Sequence, residues 1–364
     1  MGIEVGNISR AKITMFWTLL MSFLFHFFML QFVVSWESIS SGNFIIGDDE
    51  FRYLTRSVLL FETIENSGFL STVSDYYKYT HSLHWGNYYF IAGVFSLTGV
   101  DLSSVAIVKI LLFHFLTIPC YYFLVKEFFV RKVAMVISLS LIFYVPLVLF
   151  PYTLMRDDLI FMLTNFFIVL YFSYKKNKKY STLIVASIVC FLLVGFRIHM
   201  FLSLIAFVVS DLILYSAILR RHILVKMTIS ISLALVFILF SLSISSINIY
   251  AALIDFPEAF IRVFLSPVPW LVSSELPTVL MLWYSLVFIF MCFICIVFLM
   301  KFMFWKSILH ENKLLPFLVL FLCYIFPYLA NDQLGFRQVT IMMPFLFVFV
   351  VFPVLVNGKY LKPC

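Results

Sequence analysis

Apolar runs long enough to cross a bilayer recur along this chain, broken by short polar turns, and that repetition excludes most folds. A bilayer core about 30 Å thick takes roughly 20 helical residues, and Ile13 to Trp36, Ser104 to Val125, Ile223 to Ser245 and Val279 to Met300 each supply such a run. Of 364 residues, 63% are hydrophobic and 12% charged, whereas soluble domains run nearer one half and one quarter. Backbone polar groups in lipid must bond within their own segment, so runs of this kind fold as helices. The expectation is an all-α protein: a polytopic transmembrane helical bundle forming a single integral membrane domain over residues 1–364. No internal repeat, low-complexity tract or linker divides it.

The formal net charge of +7 would suggest nucleic acid for a soluble chain. Here the Lys and Arg residues cluster between apolar runs, at Lys126 to Lys132, Lys175 to Lys179, Arg220-Arg221-His222 and Lys301 to Lys313. That pattern marks cytoplasmic loops and orients the chain in a membrane, so the lipid bilayer is the expected partner and nucleic acid is not. The first run follows Arg10 and Lys12 and is too long for a cleaved signal, so it reads as an uncleaved span with a cytoplasmic amino terminus.

Between Glu37 and Ser82 seven acidic residues face three basic ones, which assigns that loop to the outer side. The basic turn at Lys126 must return inside. Leu83 to Gly99 is therefore expected to be re-entrant or interfacial, with Ser104 to Val125 making the crossing. Further spans are expected at Val133 to Phe150, Leu159 to Tyr174, Thr182 to Gly195, Met200 to Leu219, Ile223 to Ser245, Val279 to Met300, Leu314 to Leu329 and Val339 to Val356. Together they make about ten crossings with both ends inside. Cys120, Cys190, Cys292, Cys295 and Cys323 lie within apolar runs and read as small hydrophobes, so neither disulfides nor zinc are expected.

Under this topology the ionisable groups not needed for orientation gather on the outer face. The first outer loop carries Gly47-Asp48-Asp49-Glu50-Phe51-Arg52-Tyr53. Phe51, Leu54, Val58, Phe61 and Ile64 follow at helical spacing, with Asp48 or Asp49 as N-cap and Gly68 as terminator, which predicts an amphipathic juxtamembrane helix on the membrane surface. Three adjacent carboxylates can cap a helix and nothing more. Crowded like charges can also raise one pKa toward a general base or hold a divalent ion, although no cofactor or metal is indicated.

Arg156-Asp157-Asp158 reads either as an ion pair between two helices or as part of a substrate site. Arg197 and His199 stand between apolar runs with no acidic neighbour in sequence, and Arg337 opens the last span. Arginine suits bidentate phosphate contact. Lys109 is expected to snorkel. His81 and His84 belong to the aromatic stretch Asp75 to Tyr89, which suits an interfacial belt or stacking on sugar rings.

Asp49-Glu50-Phe51-Arg52-Tyr53, just after the first span, resembles the Asp-Glu-x-Arg-Tyr motif of GT-C membrane glycosyltransferases, which use polyprenyl-linked sugar donors. His81 to Tyr89 occupies the place of that family's His-Pro-Pro entry to the next span, without the prolines. Arg337 to Pro344 is similar to the Arg-Tyr-x-x-x-x-x-Pro that opens a late span. In layout the chain also resembles the Phe-rich O-antigen and capsular polysaccharide polymerases of the bacterial inner membrane.

The resemblance implies a multi-pass inner-membrane enzyme transferring sugar from a polyprenyl-(pyro)phosphate-linked saccharide at the periplasmic face. Asp49 would be the catalytic base, with Asp48 and Glu50 beside it, and Arg52, Tyr53, His81, His84, Arg156, Asp157, Arg197, His199 and Arg337 would bind substrate. Other membrane proteins of polysaccharide assembly are then candidate partners. A lipid-linked saccharide flippase is the rival reading, for which polar residues should line a path through several helix interiors.

Overall fold

A computed structural model describes residues 15–28, 48–74, 85–144, 147–148, 150–214, 223–244, 297, 301, 308, 313–329 and 336–362. Among them the regular structure is helical, and the sole β pairing is an isolated bridge between Phe129 and Leu361. The chain divides into two compact units: Met1–Lys126 with Arg131–Ile198, and Glu127–Val130 with His199–Cys364.

The first unit opens with α1 (Met15–Phe28). Helix α2 (Asp48–Ser67) occupies the stretch where a helix is expected after the first apolar run. It ends where expected, at Gly68, whose φ of +81° is open to glycine and whose N–H closes on the Ile64 carbonyl at 2.9 Å. Its start differs by a residue or two, since Asp48 and Asp49 fall inside its first turn rather than ahead of it. The buried face also differs. Glu50, Tyr53, Ser57 and Leu60 turn inward, while Phe51 is 59% exposed and Leu59 is exposed as well. The stripe that packs on the protein is mixed polar and aromatic because its counterpart is a polar turn, described below.

Short α3 (Phe69–Ser74) leads toward α4 (Gly86–Thr98). At 13 residues α4 is about 20 Å long, short of a bilayer core. The rings of Tyr53 and Tyr88 (5.2 Å) and of Phe61 and Phe95 (6.3 Å) join α2 to α4. Gly99, at φ +78°, ends α4, and Asp101 caps α5 (Leu102–Phe128) by accepting from the Ser103 and Ser104 N–H groups.

Helix α5 and α7 (Asp157–Asn177) are the two described helices long and apolar enough to cross a membrane. Between them the expected continuous span Val133 to Phe150 is not found. Helix α6 (Arg131–Ser140) passes into a 3-10 turn, Leu141–Phe143, and a second 3-10 turn covers Phe150–Tyr152. Pro151, within the second turn, lacks the N–H that an α-helix needs and disfavours helix in the residue before it. Helix α8 (Tyr180–Phe196) completes the unit.

The second unit holds α9 (Ile198–Leu214), α10 (Ile223–Ile244), α11 (Leu315–Leu329) and α12 (Phe336–Leu346), the last continuing through a π-helical stretch, Phe347–Val351, into Phe352–Leu355. Its core is built of phenylalanine. The Phe317 and Phe349 rings stack at 4.0 Å, with Phe207 and Phe128 edge-on at 5.0 and 5.5 Å from Phe317. The C-terminal turn is tied down where Val130 N–H donates to Tyr360 and Lys362 N–H to Phe128. Most of the expected span Val279 to Met300 lies outside the described residues.

Candidate functional site

Helices α7 and α8 form an antiparallel pair whose connection turns at Lys178, a non-glycine residue at φ +55°. The end of α8 therefore returns beside the start of α7. Arg197, extended just past α8, brings Nη1 to 3.3 Å from Asp157 Oδ1, with 3% of the Arg197 side chain and none of the Asp157 side chain exposed. The missing acidic partner of Arg197 is thus supplied by the fold rather than by neighbouring sequence. Removing water from two charges costs several kcal/mol per ion, and their mutual contact offsets part of that cost.

Glycines let α4 approach the same point. A Cβ at Gly195 would sit 2.5 Å from the Trp85 ring, and one at Gly86 would sit 2.7 Å from the Phe196 ring. This contact seats the first turn of α4 on the last turn of α8. Asn87, on α4, then donates from Nδ2 to the Leu154 carbonyl at 2.8 Å, and the Leu154 N–H donates to Glu50 Oε1 at 2.9 Å. Both backbone groups of Leu154 are satisfied by side chains from α2 and α4, which secures the turn before α7 without secondary structure.

Lys109 corrects the sequence reading. It does not snorkel. Its side chain is 1% exposed, and Nζ bonds the carbonyls of Phe150 (2.9 Å), Thr153 (2.8 Å) and Met155 (2.5 Å) and lies 3.0 Å from Asp158 Oδ1. An ammonium with three protons among four acceptors is fully engaged. Its partners lie far along the chain, but the signal was a lysine inside an apolar helical run, which needs dedicated acceptors.

Arg156, at the N-terminal boundary of α7, is buried, with its guanidinium carbon 6.0 Å from the centre of the Tyr53 ring. Its Nε finds no hydrogen-bond partner among the described residues. The Tyr88 ring also packs on Tyr53, at 5.2 Å. Burial, the largest effect, and Tyr53 push the Tyr88 phenol up, while Arg56, Arg156 and Arg52 pull the other way, which places three arginines around one phenol.

The junction buries three carboxylates, Glu50, Asp157 and Asp158, with three cations, Lys109, Arg156 and Arg197. It is balanced in charge. The half-buried Arg56 and the exposed Arg52 add positive charge at its edge.

Of the sequence candidates, Glu50, Tyr53, Arg156, Asp157 and Arg197 are gathered in this one unit. The Asp48 and Asp49 side chains lie outside the described residues, as does the Arg337 side chain near the start of α12. His81 and His84 also lie outside them. His199, half-buried on α9, is counted with the second unit. Among the described residues no group of three or more His, Cys, Asp or Glu side chains is placed to hold a metal ion. Lys109 and Asn87 were missed as site residues by sequence reasoning. No family model, curated protein or solved structure matches the chain.

Proposed function

We propose that this protein is a multi-pass inner-membrane glycosyltransferase of about ten spans that uses a polyprenyl-(pyro)phosphate-linked saccharide at the periplasmic face, in surface polysaccharide assembly. One observation carries the reading. The first turn of α2, which bears the acidic motif, is fastened through Glu50 to the turn that presents Arg156 and Asp157, with Arg197 alongside. A carboxylate-rich helix start beside a set of arginines is what transfer from a lipid phosphate requires, a base for the acceptor hydroxyl and cations for the departing phosphate.

In this reading Asp49, with Asp48 beside it, takes the acceptor proton. Glu50 anchors the turn. Arg156, its Nε open, and the edge arginines Arg52 and Arg56 meet the phosphate, while Arg197 is held by Asp157 and orients the site. Tyr53 and Tyr88, both buried, pack ring against ring and hold α2 on α4 beside these arginines. Basic clusters between the apolar runs support the membrane topology, and periplasmic assembly proteins are the partners that this chemistry would need.

The test is consumption of a radiolabelled polyprenyl-pyrophosphate saccharide by the purified protein in lipid nanodiscs. Release of polyprenyl (pyro)phosphate with transfer of label to a longer saccharide supports the proposal. Movement of intact label across a sealed vesicle bilayer without any such release would favour a flippase instead.

A further inference from the structure

His26 on α1 and His114 on α5 meet inside the first unit, both buried, with His26 Nδ1 2.9 Å from His114 Nε2. His114 lies in a π-helical turn, Phe113–Thr117, that interrupts the longest helix. Such turns add a residue to the helix, re-aim its side chains and recur at functional sites. Ionisable groups inside apolar helices are costly, and where they persist they commonly serve ion or proton pathways.

The hydrogen positions follow from the partners. His114 Nδ1 lies 2.8 Å from the Ile110 carbonyl, which can only accept, so Nδ1 carries the hydrogen. In the neutral ring Nε2 is then an acceptor. Ser22 Oγ and His26 Nδ1 both stand 2.9 Å from it, and both must donate. His26 therefore holds its hydrogen on Nδ1, and its Nε2 keeps a free lone pair with no hydrogen-bond partner among the described residues. The Tyr152 hydroxyl donates to the His26 backbone carbonyl at 2.9 Å and fixes the helix rather than the ring. The Tyr152 ring stands 6.4 Å from the His26 ring, Lys109, five residues before His114 on α5, is already matched with Asp158, and the other titratable side chains of α5, Cys120, Tyr121, Tyr122, Lys126 and Glu127, follow His114 by six residues or more.

We propose that His26 and His114 form a proton-binding site that takes up one proton, at His26 Nε2, with every hydrogen bond of the pair intact. A second proton has to enter at His114 Nε2, where two donors already point. It would break the hydrogen bond between the two rings, leaving α1 and α5 joined by the Phe23–Phe115 ring contact. The pair is thus a single-proton acceptor whose second proton opens the link between the rings, a capacity separate from the glycosyl-transfer reading.

The test is nitrogen-15 NMR of the full chain, labelled at histidine, in lipid nanodiscs over a pH series. The expected result is the Nδ1–H form for both rings, nitrogen–nitrogen coupling across the hydrogen bond, uptake of one proton with that coupling retained, and loss of coupling on the second. Ser22→Ala removes one donor and should leave both ring forms unchanged. An Nε2–H ring at either residue, no coupling between the rings, or two protons bound with the coupling intact would overturn the proposal.

Discussion

Arg197 and Asp157 stand 3.3 Å apart at the open end of an antiparallel helix pair, each sealed from solvent. Each offsets part of the cost of burying the other's charge, so removing one weakens the support of a buried ion. Arg197→Ala should lower stability by about 3–5 kcal/mol, read as a lower melting temperature in detergent. The double variant Arg197→Met with Asp157→Asn should recover most of that stability without recovering sugar transfer. Recovery of both would mean that the pair is structural alone.

Lys109→Met is expected to destabilise the protein by a similar amount, about 3–5 kcal/mol, because Asp158 and three carbonyls lose their shared donor. Adding Asp158→Asn should restore only part of the loss, since the carbonyls of Phe150, Thr153 and Met155 stay unsatisfied. Equal thermal stability of Lys109→Met and the parent would remove Lys109 from the junction.

Asp49→Asn should abolish transfer while leaving abundance intact. The exchange is nearly isosteric, and in the first turn of a helix it should cost about 1 kcal/mol or less. Loss of a positioned base lowers rate about a hundredfold to ten-thousandfold. Asp48→Asn is the companion variant, and parental turnover by both in a membrane assay would retire the acidic turn as the source of the base.

Gly195→Ala tests how closely α4 must approach α8. The added methyl meets the Trp85 ring at 2.5 Å, and such overpacking costs about 1–3 kcal/mol. Combining it with Trp85→Leu should relieve the clash. If Gly195→Ala alone leaves the melting temperature unchanged, the two helices do not pack as closely as described.

Reporter fusions check the membrane topology. Fusions at Asp75, Asp157, His199, Asp255 and Asp332 should report the periplasm, and those at Lys178, Arg221 and Lys306 the cytoplasm. A cytoplasmic signal at Asp157 would separate the arginine junction from the proposed outer site.

What the amino-acid order determined by itself is local. Apolar runs became helices because a helix pairs its backbone N–H and C=O groups within its own segment, and α2 stops at Gly68 because glycine adopts φ +81° without steric cost. Acidic and basic candidates were visible because charges beside apolar runs need a reason to be there. Tertiary structure alone decided the pairings. Asp157 meets Arg197 rather than the adjacent Arg156, and Lys109 closes on Asp158 and the turn before it, because the lengths and packing of α5, α7 and α8 decide which ends coincide. It also decided which side of α2 is buried. Hydrophobic spacing pointed to Phe51 and Val58, but Glu50 and Tyr53 face inward, since an N–H of Leu154 and the guanidinium of Arg156 lay across from them, and buried polar groups must find partners.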